Sequence, residues 1–577
     1  MPARDCRKTR VLELIPSEVN VLVVGAGPVG LAMAIELYRH GVQCALIDDD
    51  EGPTPLNESR ALGIQARTQE VFRQLGVVDQ VLAEGRPMRG AGIYSNGKRI
   101  ARLEFELGKI QSAYIHPIIL AQSRTERILV DRLAALGGSV AWHTALEGFT
   151  QDTDGVSAQV AGPAGARREV RARWLVGCDG SRSAVRHGLG LSFEGGEYEE
   201  VFLIADVHID WSMPDDEIHM ELTPEGPLIA FPLPEPGRWR LVDTTGLVDA
   251  KEPDSIVARF RDLLTRYVAP GASVDESSWT SSFHIHRRVV NSYRVGRCFV
   301  AGDAAHLHSP AGGQGMNTGI QDAFNLAWKL ALVLRGLGRE VLLDSYNVER
   351  RPVAVSVLKG SDRLTRLVTL HNPLARSFRN RLLSLLSGLA TVRRTASVQL
   401  SELAVNYRGG PIVAEDQGGW LAALGSGLEA ARSQHAFGFG PHPGDRSPDV
   451  ALRPELQANP AWNRLSSALT GPHHHLLFFE GLAAKPSTPT DWKTIEAMID
   501  LKYQDIILQW HVMIVASASR SLPRQGKVLI DPDGSLHRDY GARSACLYLL
   551  RPDGYIGYRA LPPDASRLRA YLERLLI

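Results

Sequence analysis

The sequence predicts an α/β protein. A Rossmann-like dinucleotide-binding domain carries an inserted mixed β-sheet domain, and a further domain follows at the C-terminus. Three segments predict this. VLVVGAGPVG (residues 21–30) runs from an apolar strand into Gly25-x-Gly27-x-x-Gly30. ARWLVGCDGSRSAVRHGLG (172–190) runs from a second apolar strand into Asp179-Gly180. FVAGDAAHLHSPAGGQGMN (299–317) runs from a third into Gly302-Asp303 and a glycine-rich loop. Each strand ends in a polar turn, where open α/β sheets bind their ligands.

The first segment brings its own context. Residues 21–24 are four apolar β-formers in a row, as in a strand buried on both faces. Residues 28–38 are rich in Ala and Leu and read as a helix, with Gly41 at the position of a C-terminal cap. The glycine turn lets the N-terminus of that helix approach a pyrophosphate. A second strand, 44–47, ends in Asp48, a carboxylate placed to bind the ribose hydroxyls of an adenosine; Asp49 and Asp50 are its rivals. The alternative is a glycine turn in another βαβ unit. With strand, helix and acid in register, and Asp303 ending a later strand, the pattern points to a dinucleotide held from both ends, and to a flavin instead of a free nicotinamide.

Composition narrows the class. The chain has 577 residues, enough for two to four domains, and Lys+Arg and Asp+Glu both number 64. Zero net charge argues against bulk attraction to nucleic acid or to acidic membranes. No apolar run approaches a membrane span, and the basic start (Arg4, Arg7, Lys8, Arg10) is followed by no apolar signal core. Cys6, Cys44, Cys178, Cys298 and Cys546 are scattered without a CxxC. A cytoplasmic protein is expected, with no metal.

The three segments, in this order and spacing, resemble the flavoprotein aromatic hydroxylases, the p-hydroxybenzoate-hydroxylase-like FAD monooxygenases. SRALGIQARTQEVFRQLG (59–76), AQSRTERIL (121–129), GMNTGIQDAFNLAWKLA (315–331) and LLDSYNVERRPVA (342–354) agree with the same family, so the likeness covers essentially the whole chain. The resemblance implies FAD as cofactor. Gly25, Gly27 and Gly30 would cradle its pyrophosphate and Asp48 its adenosine ribose. Arg60 and Gln122 would reach the phosphate and sugar region, against a plain reading as a surface ion pair and a helix cap. Gly302 and Asp303 would bind the ribityl chain. The loop 310–317, with Gly312, Gly313, Gly315, Met316 and Asn317, would pass backbone N–H groups under the pyrimidine end of the flavin. Asp179, Gly180 and Arg186 match the family fingerprint for FAD and reduced nicotinamide. No second strand–GxGxxG–helix unit is present, which suits a co-substrate, NADPH or NADH, that docks transiently.

The resemblance sets the domain organisation as follows: an N-terminal extension (1–18), the FAD-binding domain in three parts (19–88, 121–198, and 286–406 with its covering helices), a substrate-domain hairpin (89–120), a substrate-binding sheet domain (199–285), a linker (407–450) and a thioredoxin-like domain (451–577). The last lacks the CxxC of redox exchange, so Cys546 reads as structural. Three adjacent histidines, 473–475, read as loop residues. Catalytic candidates are Pro310, at the head of the flavin loop, with His286 and Arg288. His284, His286 and Arg288 alternate along WTSSFHIHRRVV (279–290) and share one strand face, toward a pocket or toward solvent.

The implied activity is hydroxylation of a phenol or polycyclic aromatic with NAD(P)H and O2, through a flavin C4a-hydroperoxide, in a site closed to water. Two alternatives remain. One keeps the cofactor but performs Baeyer–Villiger oxidation, epoxidation or dehydrogenation. The other is a flavin-binding partner or sensor without turnover. The expected partners are a small aromatic substrate, O2 and NAD(P)H, with no nucleic acid and no stable membrane association; a homodimer is left open.

Overall fold

The computed structural model describes residues 15–95, 97–105, 111–245, 252–268, 273–308, 313–368, 378–382, 398–417, 428–482, 491–513 and 527–577. The elements that build the site follow along the chain: β1 (Glu18–Val24), α1 (Pro28–Arg39), β2 (Cys44–Ile47), α2 (Ala66–Leu75), α3 (Gln122–Ala135), β3 (Arg167–Gly177), α4 (Ala184–Gly188), β4 (Phe193–Asp210), β5 (Glu217–Leu222), β6 (Pro227–Pro232), β7 (Arg238–Asp243), α5 (Pro253–Tyr267), β8 (Ser273–Val290), β9 (Cys298–Val300), β10 (His306–Leu307), α6 (Gly315–Leu334) and α7 (Val341–Val368). The chain forms two compact units. Residues 1–110, 114–327 and 350–402 make the first, and 111–113, 328–349 and 403–577 the second.

The first unit holds two large sheets. In one, β9, β3, β1 and β2 lie side by side and parallel. Val21, Leu22 and Val23 are fully buried, as an apolar run flanked on both faces requires. The register puts the carboxyl ends in one row: Val24 stands opposite Ile47 on one side and Gly177 on the other, and Gly177 opposite Val300. The residues just past those ends are Asp48, Gly25, Cys178 and Ala301. Neighbouring strands are about 4.8 Å apart, so three motifs far apart in sequence are brought within reach of one ligand.

The second sheet of this unit runs β10-β8-β4-β7-β6-β5, followed by strands Gly90–Ser95 and Lys98–Glu104. Alternation gives it two different faces. Leu203, Ala205, Val207, Trp239 and Leu241 pack under Phe260, Leu263 and Leu264 of α5. Phe202, Ile204 and Val242 point the other way, with Ile229, Phe231 and Trp279 against them. Helix α6 is buried all round: Ile320, Ala323, Ala327 and Leu330 are joined inside by Asp322, Asn325 and Lys329.

In the second unit, β11 (Ala414–Gln417), α8 (Leu428–Phe439), β12 (His474–Phe479), α9 (Asp491–Lys502), β13 (Ile507–Met513), β14 (Lys527–Ile530), β15 (Cys546–Leu550), β16 (Ile556–Leu561) and α10 (Ala565–Leu575) follow in order. The sheet order is β11-β16-β15-β12-β13-β14. β12 and β13 are parallel, and β15 is antiparallel to β12 and to β16. This β-α-β followed by β-β-α is the thioredoxin-like arrangement. Leu476 and Phe478 face one core and Leu477 and Phe479 another, so both faces are covered. Cys546 is a free thiol, fully buried, and burial pushes its pKa up, as befits a structural residue.

Two sequence expectations are corrected here. Residues 407–450, expected as a linker, contain β11, which pairs with the edge of β16, and α8, whose Phe437 is fully buried in a core. Glycine and proline mark turns without excluding short elements between them. His474 and His475, expected in a loop, are buried strand residues: His475 Nδ1 accepts the Trp510 Nε1–H at 3.2 Å, and His474 packs edge-on against Trp328. Among the described residues no helix is long and apolar enough to cross a membrane.

Candidate active site

The glycine turn after β1 is dictated by contact. Gly25 has φ +97°, and a Cβ there would stand 2.4 Å from the Cys178 carbonyl oxygen. A Cβ on Gly30 would stand 1.8 Å from the Gly25 carbonyl oxygen, so α1 packs against its own entry turn only without a side chain. Gly27 differs. A Cβ there would meet no protein atom within 4 Å, and no side chain caps the first N–H groups of α1. The turn therefore keeps an open surface with unclaimed donors, which fits a pyrophosphate.

Asp48 is fixed beside it. Its Oδ2 accepts the Ala26 N–H at 2.5 Å and its Oδ1 the Asp50 N–H at 2.8 Å. Burial raises its pKa, and the two backbone N–H groups work against that. Asp49 and Asp50 are exposed, which leaves Asp48 as the acid seated at the turn.

Asp179 and Arg186 hold the second motif together. Asp179 accepts from Ser183 Oγ at 2.5 Å and from the Val185 N–H at 3.0 Å, capping α4; burial raises its pKa. Gly180 takes φ +71° at the turn. The buried Arg186 guanidinium donates to the Ser181 carbonyl at 2.8 Å and to the Ala304 carbonyl at 3.3 Å, and lies 4.3 Å from the Phe193 ring centre. Arg186 thus ties the second motif to the third.

In the third motif, Gly302 has φ +60° and packs on Val29 of α1 and on Gly319 of α6. Its N–H donates to Asp322 Oδ2 at 3.2 Å. Asp303 next to it is exposed to the open space at the strand ends, and no described residue pairs with its carboxylate. Protein crowded around its other sides raises its pKa, with His306 opposing. A carboxylate past the same row of strand ends as Asp48 and Gly27 suits the hydroxyls of a ribityl chain.

The glycine loop is anchored by a residue expected to touch the cofactor. Asn317 is fully buried: its Oδ1 accepts the Gln65 N–H at 2.9 Å, and its Nδ2 donates to Gly63 and Gly313 carbonyls at 2.8 and 2.7 Å. Its amide hydrogens are thereby used within the protein, and any cofactor contact falls to the backbone. Gly313 takes φ +62°, and a Cβ on Gly315 would meet nothing within 4 Å. Met316 is half-buried beside them.

Arg60 takes a left-handed conformation, φ +45°, with its half-exposed side chain 3.1 Å from Glu58. Gln122 heads α3, receives the Ala61 N–H at 3.4 Å and donates to Glu126 at 2.8 Å. The two therefore belong to one corner, where the Gln122 N–H also meets the carbonyls of Ser59 and Ala61 at 2.9 and 2.8 Å. Arg288 is half-buried on β8, opposite Leu307 of β10. His284 and His286 lie on the same strand, but their side chains fall outside the described set. Pro310 and Gly312 also lie outside the described residues.

Several buried charges were not singled out from sequence. Asp206 and Arg240 form a bidentate pair at 2.7 and 3.0 Å, and both reach Ser59 Oγ, while Arg240 also donates to the Arg60 carbonyl. Asp322 pairs with Arg350 Nε at 2.6 Å and His306 Nε2 at 2.7 Å. Burial acts to raise the Asp322 pKa, but Arg350 and His306 outweigh it and hold the carboxyl low. The available signal was a charge within an otherwise apolar stretch: Asp322 in GIQDAFNLA and Arg240 in RWRLV.

Comparison with known proteins agrees with this geometry. The FAD binding domain family matches residues 18–361. The chain is 36% identical to the 6-methylpretetramide 4-monooxygenase of Streptomyces rimosus, over 96% of this chain and 93% of that protein. It is 32% identical to the pentachlorophenol 4-monooxygenase of Sphingobium chlorophenolicum, over 94% of each. Among solved structures, the OxyS anhydrotetracycline hydroxylase from Streptomyces rimosus superposes with a TM-score of 0.69 at 28% identity, covering 94% of this chain and 96% of that one. The flavin-dependent monooxygenase PieE in complex with FAD and substrate superposes with a TM-score of 0.77 at 23% identity, covering 97% and 99%, a likeness of fold. With the family match over residues 18–361 and relatives this similar over nearly their whole length, the chain belongs to the FAD-dependent aromatic monooxygenases.

Proposed function

We propose that this protein is a cytoplasmic hydroxylase of a polycyclic phenol, using NAD(P)H and O2. The observation that supports the FAD site is the row of strand ends, past which Gly27, Asp48 and Asp303 all follow in sequence. The chemistry supplied by bound FAD is hydride acceptance from reduced nicotinamide and activation of O2. On this reading Gly25, Gly27 and Gly30 admit the pyrophosphate, Asp48 takes the adenosine ribose, and Asp303 takes the ribityl hydroxyls. Arg60, Gln122, Asp179, Gly180, Arg186 and Gly302 complete the cradle, and the backbone of Gly312, Gly313, Gly315, Met316 and Asn317 lines the ring end.

The substrate reading rests on the second sheet. Phe202, Ile204 and Val242, with Ile229, Phe231 and Trp279, give the face opposite α5 an apolar surface, which excludes water and suits a flat ring system. Arg288, His286 and Pro310 are proposed at its edge, where they would orient the phenolic oxygen. One relative is named for 6-methylpretetramide and another for pentachlorophenol, which supports an aromatic substrate.

The test is oxygen uptake by FAD-loaded protein with NADPH, across simple phenols and polycyclic hydroxyaromatics, with product masses. A polycyclic phenol that stimulates uptake and gains one oxygen atom is the expected result. Uptake that never exceeds the substrate-free rate, with only peroxide formed, would remove the hydroxylase reading. A ketone converted to an ester or an alkene to an epoxide would favour the alternative chemistries on the same cofactor.

A further inference from the structure

The segment 398–402 is fastened at three points: to the described end of the flavin loop, to the start of α2 and to α6. Gln314, in the loop itself, donates from Nε2 to the Gln399 carbonyl at 3.1 Å. The Arg67 N–H, at the start of α2, donates to the Ser401 carbonyl at 3.1 Å. Glu402 then turns its carboxyl inward, where it is almost fully buried and accepts from Gln321 Nε2 and, at 3.4 Å, from Thr318 Oγ1 on α6. The same start of α6 carries Asn317, which pins the loop to residues 63–65. Glu402 makes this contact in a left-handed backbone conformation, φ +59°. A residue other than glycine keeps that conformation where its surroundings over-determine it.

The surroundings of the carboxyl favour its acid form. Among the described residues its direct partners are a neutral amide and a hydroxyl, with no ion pair. Arg350 of α7, whose charge acts on this carboxyl, is engaged with Asp322 at 2.6 Å and with the Thr318 carbonyl at 3.0 Å. Asp322 itself is a neighbouring negative charge, balanced by Arg350 and His306. Gln321 Oε1 is buried with no donor among the described residues. A protonated Glu402 offers the O–H that completes an acid–amide pair with Gln321, whereas a carboxylate there offers only acceptors.

We propose that Glu402 is a positioning residue: as the neutral acid it latches segment 398–402 to the first turns of α6 and so holds the described end of the FAD loop, residues 313–317, in place. This rests on the FAD site described above. Burial pushes the Glu402 carboxyl up to about 8, with Arg350, Gln321 and Thr318 opposing and Asp322 adding. In the opened segment the carboxyl is solvated and returns to its ordinary value of 4.5. Between those two values the open form gains from ionising while the closed form stays neutral. Closure is therefore favoured at low pH, weakens as pH rises toward 8, and levels off above it.

The experiment is FAD binding to apoprotein, read by quenching of free FAD fluorescence from pH 6 to 9, for wild type and Glu402→Gln. Glutamine reproduces the neutral acid and cannot ionise. Wild-type affinity is expected to fall with pH, by up to about tenfold per unit below pH 8, and to level off above. Glu402→Gln is expected to match wild type at pH 6 and to lack that fall. Identical pH profiles for the two proteins would overturn the latch, as would a Gln variant that binds FAD weakly at every pH. Asp303→Asn serves as the reference for the site itself, with weakened binding across the whole range. If Asp303→Asn binds like wild type, the site is wrong and the latch falls with it.

Discussion

At the residue scale, one exposed acid separates binding from folding. Asp303 is exposed and has no partner among the described residues, so Asp303→Asn is expected to remove a charge that the fold does not use. A hydrogen bond to a charged group is worth about 1.5–3 kcal/mol, so FAD affinity is expected to drop by roughly ten- to a hundredfold. The melting transition of the apoprotein should stay where it is; a matching loss of stability would place Asp303 among structural residues instead. Asp48 and Asp303 were legible from sequence because each ends an apolar strand next to a glycine turn. Asp206, Arg240, Asp322 and Glu402 were not, since an isolated charge in sequence reads as surface, and only packing shows that these four are buried.

At the element scale, the start of α6 is where the loop gains its shape. Asn317 makes three bonds to backbone groups of residues 63, 65 and 313, one buried and two part-buried, and Asn317→Ala removes their shared partner. The expected loss is about 1–3 kcal/mol, seen as a lower urea midpoint and faster release of flavin fluorescence. A variant with unchanged midpoint and unchanged flavin retention would show that the loop does not depend on this staple. The helix was predicted from its apolar spacing, and Ile320, Ala323, Ala327 and Leu330 are indeed buried. Periodicity gave no hint that the opposite side is buried too, because its polar residues find partners from distant segments: Asp322 from Arg350, and Lys329 from Glu349 at 2.7 Å.

At the scale of the whole molecule, the second unit is fastened by charges inside it. Arg551 pairs with Glu349 at 2.6 Å and with Asp553, and lies 5.3 Å from the Trp328 ring centre. Lys329 shares Glu349, and burial pushes its pKa down to about 8. Arg551→Met would leave two buried carboxylates with one weakened cation. Breaking such a pair costs about 3–5 kcal/mol, which denaturation followed by far-UV circular dichroism should report as a lower midpoint. An unchanged midpoint would mean that water or rearrangement compensates the loss.

The sequence by itself determined the order of the strands' apolar runs, the glycine turn, the two acids at strand ends and hence the cofactor class, because these are local: a buried strand needs consecutive apolar residues, and a close backbone approach needs glycine. The tertiary structure decided what those signals cannot carry. It set the register that lines up Ile47, Val24, Gly177 and Val300, turned Asn317 inward, and folded residues 414–417 into a sheet edge. It also enclosed Asp322 and Glu402 beneath the loop. Each of these depends on which distant segment arrives as a neighbour, and burial and hydrogen-bond partners are properties of that neighbour as much as of the residue.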